Sequence, residues 1–303
     1  MDPACIPPGP QVPARSQSIA TLDRPLAAVL DPTGKTVYAT TIDINGNAQL
    51  VSISASGGEP ARIATAEVLS YPVGLAIKPD GSALFVADIG DPGGSSDEAG
   101  GVIQVSIRGG STRFALGELR HPAGIAVSHD GRELFVTGVS AEDGRPGVWR
   151  FAESGGPPTA IYKGDPLRGP SGIVMAEDGT LYVADPTALG PRDGAVIRIG
   201  SGGAAVLNRA PIQMSFPAGI AAAGPGHPDV LVTGTMPRTG LGALLRISPS
   251  GEIFPVDIGQ RLLDPAALHR AARSAVWVLV EATHVPMQLD PLQATGLLFQ
   301  LVP

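Results

Sequence analysis

Residues 71–88 read YPVGLAIKPDGSALFVAD: a proline, a short apolar run, an Asp-Gly turn and a second apolar run. The pattern returns at residues 121–138 as HPAGIAVSHDGRELFVTG and at residues 169–185 as GPSGIVMAEDGTLYVAD. Less regular copies complete the series, and the six prolines are Pro25, Pro72, Pro122, Pro170, Pro217 and Pro265. Their spacings of 47, 50, 48, 47 and 48 residues indicate six structural repeats.

Each repeat predicts four short antiparallel strands. Asp-Gly supplies the positive φ that a tight hairpin needs between strands one and two. After a variable loop comes a third strand, such as GVWRFAE, and a Gly-rich turn leads to a fourth, such as TAIYK. Short strands at even spacing are typical of β-propellers. We therefore predict an all-β, six-bladed β-propeller with four antiparallel strands in each blade.

The two ends of the chain predict how the ring closes. The sixth repeat supplies only three strands before the chain reaches Pro303. Residues 16–22, SQSIATL, precede the first repeat just as fourth strands precede the others. Pairing this strand with LLFQLV covers an edge that would otherwise invite association. We assign residues 1–15 to a Pro-rich leader and residues 16–303 to a single propeller whose last blade is closed by the N-terminal strand.

These repeats resemble those of the NHL and YWTD families of six-bladed propellers. The carrying features are the x-P-x-G-I-A-V strand with its Asp-Gly turn and the segments LFVAD and LYVAD, and the likeness covers residues 16–303. The architecture is TolB-like and is shared more distantly by gluconolactonase-type and strictosidine-synthase-like enzymes. The resemblance implies a fold rather than an activity, because such families include enzymes, receptors and scaffolds.

Composition narrows the partners and the location. A net charge of −7 and the lack of a basic cluster argue against nucleic acid. No run of 18 apolar residues predicts a membrane span. Cys5 is the only cysteine, so an internal disulfide and a cysteine-based zinc cluster are excluded. We expect a monomer in the periplasm or outside a bacterial cell; a lipid attached to Cys5 and a cytoplasmic location are open alternatives.

The calcium site that the gluconolactonase resemblance would imply is not matched. That site uses Glu, Asn and Asp side chains, several of them just after the strand-one proline. The matching positions here are Leu26, Val73, Ala123, Ser171, Ala218 and Ala266. Calcium needs several oxygen ligands, and the five histidines place too few on one face for zinc. We predict no metal site of either kind and no cofactor.

A ligand site is predicted where the variable loops lie. The loops between strands two and three, and those leading into each strand-one proline, should share one face, and variable loops on a rigid scaffold often carry binding residues. The residues before the prolines are diverse there, as suits one asymmetric pocket for a small molecule. The predicted ligand-binding residues are Arg24, Tyr71, His121, Phe216, Asp264, Glu281 and His284.

Two further pairs of residues are secondary candidates. Asp88 and Asp185 each end a predicted second strand, where a carboxylate either holds a cation or orients a substrate near the axis or, as we prefer, caps the following loop. His269 and Arg270 occupy positions that are apolar in the other five repeats. Burying an unpaired charge is costly, so either these residues find partners, water or a ligand, or the first strand of blade six is shifted or partly exposed.

The sequence favours a binding function. Our first hypothesis is an exported bacterial propeller that binds a small molecule or a protein partner through its loop-rich axial face. The alternative is a lactonase, lyase or strictosidine-synthase-like enzyme with a non-standard axial site, so catalysis stays open. A third hypothesis is a structural interaction module.

Overall fold

The computed structural model describes residues 13–64, 67–90, 100–235, 240–284 and 295–303. They form six antiparallel sheets, and the innermost strands of the sheets contact one another in a closed ring. This arrangement confirms the six-bladed β-propeller that the repeats predict. Over its described residues, the structure contains no helix with the length and hydropathy that crossing a membrane requires.

The strands are numbered in chain order, and blade six combines the first strand with the last three. Blade six contains β1 (Arg15–Asp23), β23 (Pro265–Arg270), β24 (Trp277–His284) and β25 (Thr295–Val302). Blade one contains β2 (Pro25–Leu30), β3 (Thr36–Ile42), β4 (Ala48–Ser54) and β5 (Ala61–Ala64). Blade two contains β6 (Pro72–Ile77), β7 (Ala83–Asp88), β8 (Gly101–Ser106) and β9 (Ser111–Arg113).

The remaining blades follow the same plan, except that the first strand of blade three is divided into two segments that both pair with β12. Blade three contains β10 (Leu119–Arg120), β11 (Ile125–Val127), β12 (Glu133–Ser140), β13 (Pro146–Ala152) and β14 (Thr159–Lys163). Blade four contains β15 (Ile173–Met175), β16 (Leu181–Gly190), β17 (Asp193–Gly200) and β18 (Gly203–Val206). Blade five contains β19 (Ile220–Ala222), β20 (Val230–Thr235), β21 (Gly242–Ile247) and β22 (Ile253–Val256).

The N-terminal strand closes the ring as predicted. β1 pairs antiparallel with β25, with Ser16 opposite Leu301 and Leu22 opposite Gly296. Ile19 and Leu22 are buried in the apolar cluster between blades six and one. The strand begins at Arg15, one residue before the predicted boundary, while residues 1–12 of the predicted leader lie outside the described residues.

Apolar clusters fill each of the six interfaces between neighbouring blades. They contain the largest fully buried side chains, among them Trp149 and Trp277. Both faces of every sheet are therefore packed, which explains why the second strands read as continuous apolar runs rather than as alternating patterns.

We name the two ends of the axis by their connections. The loop face carries the residues that lead into the six strand-one prolines, and the turn face carries the connections from strand one to strand two. Near the loop face, Gly74 and Gly219 lie so close to the next blade that a Cβ would overlap the carbonyl oxygens of Ala123 and Ala266. The first strands thus approach one another tightly at this end of the ring.

Buried threonines connect the first strand of each odd-numbered blade to that of the next blade. In blade three, Thr137 Oγ1 accepts the Gly124 N–H at 2.7 Å and donates to the Ser171 carbonyl at 2.8 Å. Thr40 of blade one and Thr233 of blade five make the corresponding pairs of bonds. The equivalent residues of the even-numbered blades are Ala87, Ala184 and Val280, so the blades alternate in structure.

Candidate functional site

The residues predicted to form a pocket at the loop face lie in several different environments. Arg24 and His121 adopt left-handed backbone conformations, with φ of 32° and 49°. The exposed His121 places Nδ1 3.2 Å from the Ile89 carbonyl oxygen. Tyr71 packs beside an apolar cluster of blades one to three, whereas Phe216 is 51% exposed.

The other predicted loop-face residues belong to blade six or lead into it. Glu281 is buried, and its Oε1 accepts the backbone N–H groups of Leu263, at 2.8 Å, and Asp264. The Asp264 carboxylate accepts a hydrogen bond from the Ser215 hydroxyl. His284 lies in β24 with its backbone opposite Thr295, and its side chain is outside the described part of the chain.

Asp88 and Asp185 each accept one backbone N–H of the following segment, as the loop-capping interpretation predicts, and two from the loop that enters strand one. Asp88 is buried and accepts the N–H groups of Ser70 at 2.7 Å, Tyr71 at 2.9 Å and Gly90 at 2.9 Å. Asp185 accepts those of Arg168 at 2.7 Å, Gly169 at 3.0 Å and Thr187 at 3.0 Å.

Glu281 occupies the same position of strand two in blade six. All three carboxylates therefore accept hydrogen bonds from the backbone that enters strand one of an even-numbered blade. These hydrogen bonds to the backbone explain why the three carboxylates are buried, and no ligand is needed to account for it.

An axial cavity of about 620 Å³ is instead lined by the six first strands and by the residues that follow them towards the turn face. Of the predicted loop-face residues whose side chains are described, none lines this cavity. The secondary candidates His269 and Arg270 do line it. The cavity extends from the level of the strand-one glycines, Gly74 and Gly219 among them, to the turn face.

The cavity wall is mainly aliphatic. Leu75, Ile125, Ile173, Ile220 and Leu268 contribute to it from five blades. Titratable residues contribute the more polar part of the wall: Lys78, His129, Glu177, Tyr182, His227, Asp229, His269 and Arg270. Apolar walls with few polar groups are the usual character of small-molecule sites.

From Leu268 to Arg270 the first strand of blade six pairs regularly with β24, so a shifted strand does not explain the two polar residues. His269 lies opposite Val278, and Arg270 lies opposite Trp277 in β24. Both side chains are partly buried. Successive side chains of a strand point to opposite faces; accordingly His269 contacts blade one, whereas Arg270 approaches Gly224 of blade five.

His269 is a neutral hydrogen-bonding group at pH 7. Burial, and then the positive charge of Arg270, lower the pKa of its imidazole to about 4. Its Nδ1 accepts the Leu30 N–H at 3.1 Å. Because an accepting ring nitrogen carries no proton, the proton of the neutral ring is on Nε2, which is thus a donor.

Arg270 is a cation without a carboxylate partner. Within the described residues, no carboxylate oxygen lies within 4 Å of its guanidinium. Burial lowers the pKa of Arg270, while the charge of Glu177 acts in the opposite direction. An arginine nonetheless stays protonated in proteins, so a positive charge remains at the cavity wall.

The other charged groups of the cavity are engaged by the protein. Lys78 pairs with Glu153 at 2.9 Å, and Asp229 pairs with Arg246 at 3.0 Å. Glu177 accepts the Gly226 N–H at 2.9 Å. Within the described ranges, no three histidine, cysteine or acidic side chains are grouped as a metal site would require.

Sequence reasoning placed the turn-face histidines on the opposite side from the predicted site and did not recognise that this side holds the cavity. One signal was available: the turn of blade five, residues 223–229, is longer than the Asp-Gly turns and contains a histidine. It contributes His227 and Asp229 to the cavity wall.

Comparison with known proteins defines the class. A putative TolB of Agrobacterium tumefaciens has a TM-score of 0.62 at 14% identity, covering 95% of this chain and 99% of that one. A gluconolactonase of Xanthomonas campestris gives 0.62 at 12%, covering 98% and 99%. A streptogramin B lyase gives 0.57 at 16%, covering 95% and 97%.

At these identities the likeness shows the fold alone: the protein is a six-bladed β-propeller. No family model and no curated protein matches the chain. The same architecture serves enzymes and other proteins among the structural neighbours, so function must be argued from the site.

Proposed function

We propose that this propeller binds a small organic molecule in the axial cavity, which the ligand enters from the turn face. The single observation that carries the proposal is the cavity of about 620 Å³, whose mainly apolar wall includes two adjacent polar residues of blade six, His269 and Arg270. Cavities of about 300–1,000 Å³ with this character are typical ligand sites.

We place binding ahead of catalysis because of how these two side chains are oriented. Nucleophilic or general acid–base catalysis needs groups within about 3 Å of one another or of one reacting atom. His269 instead bonds to blade one, while Arg270 lies between blade six and blade five. Because the side chains of His269 and Arg270 point in different directions, they are better placed to contact separate parts of a ligand than to act on one atom.

The loop face stays a predicted second binding surface. Its residues Tyr71 and His121 are accessible in part, and substitution of either by alanine should affect a ligand bound there but not one in the cavity. Export from a bacterial cell also stays a prediction, which fractionation of the native host would test.

A fragment screen by ligand-observed NMR tests the proposal, with Ala222→Trp as the variant that fills the cavity. Ala222 lines the cavity and is partly buried. The same substitution at Ala205, exposed on the outer strand β18, is the matched control. Fragments should bind the wild type and Ala205→Trp, and lose binding in Ala222→Trp.

Retained binding in a folded Ala222→Trp variant would contradict the proposal, as would a screen without hits. If tryptophan prevents folding, Ala222→Met narrows the cavity with less disturbance. Thermal midpoints establish which variants are folded.

A further inference from the structure

We infer that the ligand is an organic monocarboxylate whose carboxylate group pairs with Arg270 and whose apolar body lies along the aliphatic walls. This inference rests on the proposed function and specifies its ligand class. Four observations support it: the unpaired charge of Arg270, its few hydrogen bonds, its fixed position and the charges around it.

Arg270 differs from the other cations near the cavity. Lys78 and the Arg246 partner of Asp229 already have carboxylates at 2.9 and 3.0 Å. Arg270 has none within 4 Å among the described residues. Partial burial of a cation without a counter-ion costs free energy, and a ligand carboxylate entering the cavity would provide that counter-ion.

The hydrogen bonds of the guanidinium point to the same conclusion. In the described chain its Nη1 donates to the Ala271 carbonyl at 3.5 Å, the limit of a hydrogen bond, and its Nε finds no acceptor. An arginine offers five donors in a planar arrangement that fits the two oxygens of a carboxylate. Most of this donor capacity is left for a ligand.

The guanidinium is held in place before a ligand arrives. Its Cζ lies 5.5 Å from the centre of the Trp277 ring. A Cβ at Gly224 would lie 3.3 Å from the same Cζ, so the absence of a side chain there makes room for the guanidinium. Gly224 has a φ of +135°, which other residues rarely adopt. A preorganised partner loses less entropy when it binds.

The surrounding charges favour one negative charge over two. Glu177 and Asp229 line the same cavity, and His269 is neutral. A phosphate dianion would face these carboxylates with one unpaired cation to offset them. A monocarboxylate matches the single charge of Arg270, and the aliphatic walls suit an apolar body rather than a sugar.

Three probes of equal size and different charge test the inference: 4-phenylbutanoate, 4-phenylbutanamide and 4-phenylbutylamine, titrated calorimetrically at pH 7.5. We expect the acid to bind wild-type protein at least about tenfold more tightly than the amide, as a charged hydrogen bond predicts. The amine should bind most weakly.

Variants assign this preference to Arg270. Arg270→Gln should remove the preference for the acid, and Arg270→Lys should keep part of it. Arg132→Gln is the matched control, because Arg132 is an exposed arginine of the turn face outside the cavity lining. It should bind like the wild type.

The inference is overturned if the wild type binds the acid no more tightly than the amide. This measurement uses only the wild-type protein, so it does not depend on the folding of a variant. An unchanged preference in a folded Arg270→Gln protein also overturns the inference. The fragment screen with Ala222→Trp tests the proposed function separately. If fragments bind the wild type but not that variant, the cavity is the binding site even when carboxylates are not preferred.

Discussion

His269 Nδ1 accepts a hydrogen bond of 3.1 Å from the backbone N–H of Leu30, at the junction where blade six meets blade one. A side chain of the last repeat thereby binds the first strand of the first repeat. At this junction the strand-two position that carries a bridging threonine in odd-numbered blades is Val280. An imidazole near the turn face takes part in closing the ring, in addition to the pairing of β1 with β25.

The burial of His269 makes the stability of the protein depend on pH. The pKa of His269 is about 4 in the folded protein against an ordinary 6.5. As the pH falls below 6.5, His269 becomes protonated in the unfolded chain but stays neutral in the folded protein. The stabilisation that this residue contributes above pH 6.5 is therefore lost between pH 6.5 and 4. The loss should be roughly 3 kcal/mol at 1.36 kcal/mol for each pH unit.

Chemical denaturation between pH 4 and pH 7.5 measures the loss. The variant His269→Gln, whose amide oxygen can accept the Leu30 N–H, should show a shallower dependence than the wild type. His129→Gln, at an exposed histidine of the same face, is the control. Parallel curves for wild type and His269→Gln would contradict the assignment.

Removal of residues 1–22 should destabilise the whole propeller. The deletion takes away most of β1, exposes the edge of β25 and removes the buried Ile19 and Leu22. We expect the thermal midpoint to fall by more than about 10 °C, since each large buried side chain contributes about 2–3 kcal/mol. Removal of residues 1–12 should change it little, and equal midpoints for both truncations would refute the closure.

Thr137→Val should cost about 1–2 kcal/mol of unfolding free energy. The two side chains have the same shape, but valine leaves the Gly124 N–H and the Ser171 carbonyl without their buried partner. Thr159→Val, at an exposed position of β14, should change the free energy by less than about 0.5 kcal/mol. Urea unfolding of both variants compares them.

Asp185→Ala should lower stability by about 2–3 kcal/mol while leaving ligand binding in the cavity intact. The substitution removes the acceptor of three backbone N–H groups in the loops beside blade four. Asp193→Ala, at an exposed aspartate, is the control. A stable Asp185→Ala protein that had lost its ligand would show that this carboxylate acts in binding.

Purified protein should contain no stoichiometric axial calcium of the gluconolactonase type. The positions after the strand-one prolines offer one oxygen-bearing side chain, Ser171, whose hydroxyl already accepts the Ala218 N–H at 2.9 Å. Calcium requires six to eight oxygen ligands. Elemental analysis that found one tightly bound calcium for each chain, coordinated at the axis, would show this reading to be wrong.

The fold was predictable because its determinants are local and repeated. Proline spacing set the number of blades, Asp-Gly set the hairpins, and residues 16–22 matched the missing fourth strand. The alternation of blades was not predicted, although Ala-Asp, Ala-Asp and Val-Glu occupy equivalent positions in the second strands of blades two, four and six; the structure revealed the hydrogen bonds that these carboxylates make.

The candidate site was predictable only in part. Comparison of the repeats singled out His269 and Arg270, because a polar residue stands out where five repeats are apolar. The face that holds the cavity could not be predicted, because it depends on how closely the first strands approach one another. Sequence shows Gly74 and Gly219, but not the nearness of the Ala123 and Ala266 carbonyls.

The threonine bridges restrict how such a ring can change in size. Each links an odd-numbered blade to the even-numbered blade after it, and the carboxylates Asp88, Asp185 and Glu281 belong to the even set. Loss or gain of one blade would bring two blades of the same kind together and leave one junction without its matching groups. Only the duplication or deletion of a pair of blades preserves every junction. The ring therefore consists of three equivalent pairs of blades within one chain.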